Sequence, residues 1–402
     1  MNSPALCTSV ALLLAMALSG TAAAQTYPTT APGAFGRPAG SGWSGGAAPR
    51  RLPSSGPAGL TPRGDVRLVD YTTGGDADDV LEPVAEKVET KDADCCPPFW
   101  AHRTGVFGEY LMLRPRDAEV AFAVPYTGGV IPPPNNPIQV GPVALVDPDF
   151  SSGFRIGGSW AWDECTSLVA TYTFFESHTS NEVAVDAPVV LRSLVTHPGT
   201  QNAASDYLRG AADLNVDFQT VDLDYRNVWW LGEASVINWS LGARYAQLTQ
   251  DFNSQFDLTG TFDKVATEVD FDGGGVRLGL DGERHNCRGF LLYGRSAMSL
   301  VAGEFSGTYF QGTDQDQEIV NTAWKAGRLV PIFDLELGAG WQSPCGHFRL
   351  TAGYVVSMWF NTLTTDSWIR SVQQNNFVGQ ADAISYDTLT FDGFTARAEY
   401  RF

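Results

Sequence analysis

The 402-residue sequence predicts an all-β fold, an antiparallel transmembrane β-barrel of about ten strands within a range of eight to twelve. Three observations predict it. Segments of strict period-two alternation recur from residue 104 onward, the connections between them alternate between short and long, and the chain closes on an aromatic residue at the end of an amphipathic strand. In such a barrel the short turns face the periplasm and the long loops face the exterior.

Residues 1–24 stand apart from this pattern. The apolar run Val10 to Leu18, then Ser19-Gly20-Thr21 and Ala22-Ala23-Ala24, reads as a secretory h-region and small-residue cleavage site, with cleavage expected after Ala24. It falls well short of the roughly 20 apolar residues of a membrane-spanning helix. Cys7 precedes the apolar run, which argues against a lipoprotein anchor. Residues 25–103 are rich in Pro, Gly, Ser and Ala and then acidic, as in Gly74-Gly75-Asp76-Ala77-Asp78-Asp79. Without an apolar period this stretch is expected to be a flexible periplasmic extension.

The barrel is assigned to 104–402, with strands near 104–114, 153–162, 168–176, 216–230, 236–248, 265–280, 289–303, 331–342, 347–360 and 388–402. Trp239, Leu241, Ala243 and Tyr245 alternate with Ser240, Gly242, Arg244 and Ala246, and Phe333, Leu335 and Leu337 alternate with Asp334, Glu336 and Gly338. In lipid the apolar set faces outward and the small and charged set faces the lumen. The connections 163–167, 231–235, 281–288 and 343–346 are read as short turns. Those at 115–152, 177–215, 249–264, 304–330 and 361–387 are read as long loops. Gly273-Gly274-Gly275 lacks the strand–turn–helix setting of a phosphate loop and is expected to mark a bend or bulge.

The composition narrows the function class. Lys plus Arg number 26 against 45 Asp plus Glu, a formal charge of −19, which argues against nucleic acid as a partner. The mean hydropathy of −0.11 excludes a polytopic helical membrane protein. It leaves a barrel open, because alternating strands average near neutral.

At the C-terminus Phe394, Ala396, Ala398, Tyr400 and Phe402 alternate with Thr395, Arg397, Glu399 and Arg401. This strand looks like the assembly signal of bacterial outer-membrane barrels, with Tyr400 and Phe402 addressed to the barrel-assembly machinery. The opening strand Gly108-Glu109-Tyr110-Leu111-Met112-Leu113-Arg114 carries a further resemblance, together with the repeats Asn238 to Arg244, Gly289 to Arg295 and His347 to Gly353 and the ending Ala398 to Phe402. These resemble the Legionella-type major outer-membrane proteins and their planctomycete β-barrel porin relatives, over 104–402. The resemblance implies an outer-membrane location, contact with outer-membrane lipid, and a pore passing small hydrophilic solutes. The residues themselves leave open a closed structural or adhesive barrel displaying its loops, and leave homo-oligomerisation open.

Two sets of residues carry the chemistry. Glu109, Arg155, Asp222, Asp224, Arg226, Arg244, Arg277, Arg295, Asp334, Glu336, Arg349, Arg397, Glu399 and Arg401 occupy inward positions, either as a pore lining or as mutually neutralising ion pairs. A ten-stranded barrel lies closer to the side-chain-filled eight-stranded kind than to a sixteen-stranded porin, at an order-of-magnitude reading of lumen width. Cys95, Cys96, Cys165, Cys287 and Cys345 all fall on the periplasmic side, where disulfides form. No C-x₂-C spacing or His cluster accompanies them, so disulfides are expected rather than a metal. His102, His178, His197, His285 and His347 are scattered, no spacing gathers a catalytic constellation, and no cofactor motif is present; neither catalysis nor a cofactor is expected.

Overall fold

The computed structural model describes residues 98–127, 138–258, 261–286, 288–313, 318–374 and 387–402. In chain order the strands are β1 (Gly105–Arg116), β2 (Val120–Thr127), β3 (Ala144–Val146), β4 (Ser151–Asp163), β5 (Thr166–Ala184), β6 (Val189–Ser193), β7 (Arg209–Leu231), β8 (Ser235–Leu258), β9 (Thr261–His285), β10 (Phe290–Thr313), β11 (Glu318–Gln342), β12 (Phe348–Thr362) and β13 (Asp387–Arg401). The helix α1 (Thr365–Gln373) lies between the last two. Ten strands close a barrel in the order β1-β13-β12-β11-β10-β9-β8-β7-β5-β4, and β4 pairs with β1 to complete the ring. All ten sequence-assigned strands are present.

Side-chain polarity along one strand shows how the barrel sits in lipid. On β8 the outward residues run Ile237, Trp239, Leu241, Ala243 and Tyr245, then change to Gln247, Thr249, Asp251, Asn253 and Gln255. The inward residues change the other way: Asn238, Ser240 and Arg244 give way to Ala246, Leu248, Phe252 and Phe256. The apolar outward stretch is nine residues long, against the roughly 9–11 of a membrane-crossing strand. Above it the outside meets water and the inside is a dry core, so the same strand serves two solvents. Trp160, Trp162, Trp229, Phe290, Phe348, Tyr400 and Phe402 are exposed at the periplasmic edge of this band, forming an aromatic girdle.

The switch in polarity corrects two expected loops. The stretches 249–264 and 304–330 are mostly strand, since β8 runs to Leu258, β9 starts at Thr261, β10 runs to Thr313 and β11 starts at Glu318. The short connection expected at 281–288 also begins as strand, because β9 continues to His285. The glycine run at 273–275 is neither bend nor bulge: β9 passes through it in unbroken register with both neighbours. A Cβ at Gly273 would come within 2.8 Å of the Phe271 ring and of Val301, so the missing side chain makes room for the dry core.

The remaining loops fold back over the extracellular mouth. β2, β3 and β6 form a three-stranded sheet, and α1 is capped at its start by Thr364, whose hydroxyl accepts the Ser367 N–H. Trp368 of α1 is fully buried and donates its indole N–H to the Thr308 carbonyl at 2.9 Å. Gln373 donates to the carbonyls of Leu194 and Thr196 at 2.7 and 3.0 Å, tying the helix to the segment after β6. Their apolar faces join one core with Phe122, Phe252, Phe256, Phe271, Phe305 and Tyr309.

Candidate functional site

The lumen within the lipid band is built by cross-strand register. Glu109 on β1 lies opposite Arg155 on β4 and Arg397 on β13. Arg295 on β10 lies opposite Glu336 on β11, and Asp222 on β7 opposite Arg244 on β8. Directly opposed unlike charges are the favourable arrangement on a sheet face. Arg155 reaches Glu109 at 2.8 Å and Glu336 at 3.3 Å; since β4 and β11 lie four places apart around the ring, this pair crosses the lumen. Arg244 bonds Asp222 at 2.6 Å and Asp334 at 2.7 Å. Gly242 lies between Asp224 and Arg277 in register, and its missing side chain lets these two join across β8.

All fourteen lumen residues singled out from sequence face inward, and each takes part in an ion pair. Two partners were missed, Asp281 and Glu283, because they fall where a turn was expected. Asp281 pairs with Arg226 at 2.9 Å and Glu283 with Arg349 at 2.9 Å. The signal was available: 281 and 283 continue the inward parity of Arg277 and Gly279. Among the described residues the lumen therefore holds eight arginines and eight carboxylates. They surround a cavity of about 160 Å³ lined by Arg155, Asp222, Arg244, Arg277, Arg295 and Asp334 among others.

Above the charges the interior is closed by aromatics. Phe218 on β7 meets Phe391 on β13 with ring centroids 4.6 Å apart and Trp359 on β12 at 5.9 Å. Phe175 on β5 completes the layer against Phe218 and Phe391. β7 and β12 are five places apart in a ring of ten, so the Phe218–Trp359 contact spans the diameter.

Below the charges a strap closes the periplasmic mouth. Residues 98–103, expected within the flexible extension, instead pack against the rim. The His102 amide donates to the Glu164 carbonyl at 2.8 Å, and its ring bonds Ser167 at 2.9 Å and Asn238 at 3.1 Å. Arg103 donates to the Cys345 carbonyl at 2.6 Å, and Phe99 stacks on His285 at 4.8 Å. Burial, reinforced by nearby Arg226, lowers the His102 pKa to about 4. Cys165 and Cys345, in the turns this strap touches, are both disulfide-bonded. Cys95, Cys96 and Cys287 lie outside the described residues.

The other histidines do not converge. His178 bonds Asn215 at 2.5 Å on the outer wall, the His197 amide donates to Gln311 at 2.8 Å, and His347 bonds the Arg401 carbonyl at 2.9 Å. Among the described residues no group of three His, Cys, Asp or Glu is placed to hold a metal.

A closed antiparallel ring with a lipid-facing band, aromatic girdle and internal charges defines an outer-membrane β-barrel protein. Residues 106–402 match the family model described as Legionella pneumophila major outer membrane protein precursor. The chain belongs to that family. No curated protein matches it in sequence. Among solved structures it is similar to the outer membrane protease OmpT of Escherichia coli, with 10% identity, TM-score 0.43, and 76% of this chain and 99% of that chain covered. It is also similar to a Pseudomonas aeruginosa FadL homologue, with 8% identity, TM-score 0.21, and 74% and 90% covered.

Proposed function

We propose that this protein is a closed envelope barrel, a structural or adhesive element that anchors a folded extracellular cap, rather than an open channel for passive diffusion or an enzyme. The observation that carries this reading is the Phe175–Phe218–Trp359–Phe391 layer, in which side chains from opposite walls meet across the lumen. The ion pairs beneath it favour the same reading. A charged lining spent on mutual neutralisation has less to offer a passing ion, and separating any pair exposes a buried charge. The extended hairpins and the α1 cap supply a broad outer surface for contact with other cells or envelope components.

Planar-bilayer recording on the refolded, oxidised full chain tests the proposal. The expected trace is silent at voltages below those that rupture the bilayer. Stable single-channel steps from the wild-type protein would establish the diffusion pore that the family resemblance implies and overturn the closed reading.

A further inference from the structure

The lumen charges are balanced in total but not locally. Traced through their salt bridges, Arg155, Arg295, Arg397 and Arg401 form one connected network with Glu109, Glu336 and Glu399, four cations against three anions. Arg244 and Arg277 form a second with Asp222, Asp224 and Asp334, two cations against three anions. The Arg226–Asp281 and Arg349–Glu283 pairs are each neutral. Among the described residues, one lobe of the interior thus carries an excess positive charge and the other an excess negative charge. Both lobes line the same cavity of about 160 Å³.

We infer that this cavity is a binding site for a small zwitterion of the amino-acid class, its carboxylate toward Arg155, Arg295 and Arg397 and its ammonium toward Asp222, Asp224 and Asp334. The inference goes beyond the closed-barrel reading and does not require it. Three physical points select this ligand. At roughly 10–15 Å³ per water position, the cavity has room for about ten waters and hence for a molecule of a few heavy atoms. A simple anion would satisfy the positive lobe but leave a net charge inside the membrane, which is costly in a low dielectric, and a simple cation would do the same at the negative lobe. A zwitterion compensates both lobes and adds no net charge.

The structure also supplies an approach. A second cavity of about 60 Å³ shares Phe107, Val169, Arg226 and Arg397 with the first and reaches the strap residues Phe99 to Arg103. The ligand therefore arrives from the periplasmic side as the strap undocks, beneath the aromatic layer, and needs no path through the barrel.

Calorimetric titration of the folded, disulfide-intact full chain in detergent at neutral pH tests this with glycine and β-alanine as probes, against acetate and methylammonium as their separate halves. The expected result is saturable binding of a zwitterion at least ten-fold tighter than either half. Arg295→Gln and Asp224→Asn should each weaken that binding ten-fold or more while heat-modifiable gel mobility is retained. If either variant does not fold, the half-ligand comparison on the wild-type protein decides alone. Absence of saturable heat, acetate or methylammonium binding as tightly as the zwitterion, or binding untouched in folded variants each overturns the inference. A conducting wild-type barrel leaves it standing, so it fails separately from the closed-barrel reading.

Discussion

Glu109 shows what a charge requires inside this wall. It is buried, sits in register between Arg155 and Arg397, and also accepts the Thr395 hydroxyl. Buried ion pairs of this kind are weak sources of net stability but costly to break from one side. Arg244→Leu, which takes the paired cation from Asp334 and leaves Asp222 the 3.7 Å contact with Arg277, should therefore destabilise by about 3–5 kcal/mol in denaturant titrations of the micelle-bound protein. The paired change Arg349→Met with Glu283→Leu removes both charges of a neutral pair and should cost far less; an equal loss in the two proteins would mean that packing, not stranded charge, sets the effect. His102 gives the strap a pH limit. Its pKa is about 4 when docked against the ordinary 6.5, with Arg226, Asp281 and Asp163 as charged neighbours. The released strap binds a proton that the docked strap refuses between these values. Docking is thus fully supported above pH 6.5, weakens as pH falls, and has lost about 3 kcal/mol by pH 4. Limited proteolysis at 98–104 should show cleavage rising across that window in wild type and a flat profile in His102→Gln. A wild-type profile as flat as the variant's would remove His102 from the account.

At the scale of the element, β8 carries two opposite patterns end to end, and position along it predicts tolerance better than facing alone. Leu241→Arg places a charge in lipid near mid-membrane and should impair assembly by about 2–4 kcal/mol. Asn253→Arg faces the same way but lies in water, and should be neutral. Ser240→Arg joins a lumen already holding charge, whereas Leu248→Arg points inward into the dry cap and should be as harmful as Leu241→Arg. Yields of heat-modifiable protein for the four variants check the order, and equal tolerance of Leu241→Arg and Asn253→Arg would remove the lipid boundary drawn here. The same reversal explains what was readable from sequence. Ten strands and fourteen lumen charges were legible because period-two alternation against a single outside solvent is unambiguous. The extended hairpins were not, because Gln247, Thr249, Asp251 and Asn253 resemble a polar loop unless Leu248, Phe252 and Phe256 between them are credited with a core of their own. The strap was illegible for a different reason: residues 98–103 have no periodicity, and their partners on the rim lie 56 to 242 positions away, as in Arg103 to Ser159 and to Cys345.

For the whole molecule, closure is imposed from two sides, by the aromatic layer and the capped dry core continuous with it above the charges and by the strap below, and the two barriers differ in kind. The upper one is hydrophobic and built from strands, so removing it costs packing: Phe218→Ala and Trp359→Ala should each lower stability by about 3–5 kcal/mol. The lower one is held by a few hydrogen bonds and the Phe99–His285 contact, so protonation releases it without touching the ring of strands. Barriers in series predict a specific hierarchy of leaks. Wild-type protein at pH 4 has lost only the lower seal and should remain silent in a planar bilayer. The Phe218→Ala, Trp359→Ala double variant at neutral pH has lost only the upper seal and should also conduct poorly. Combined at pH 4, the same variant should show stable current, limited then by the ion-paired layer and blocked by restoring neutral pH as the strap redocks. Current from the acidified wild type alone would show that the aromatic layer does not close the lumen. Silence from the acidified double variant, in protein that still shows heat-modifiable mobility, would assign the decisive barrier to the charges or to the capped core above the aromatics.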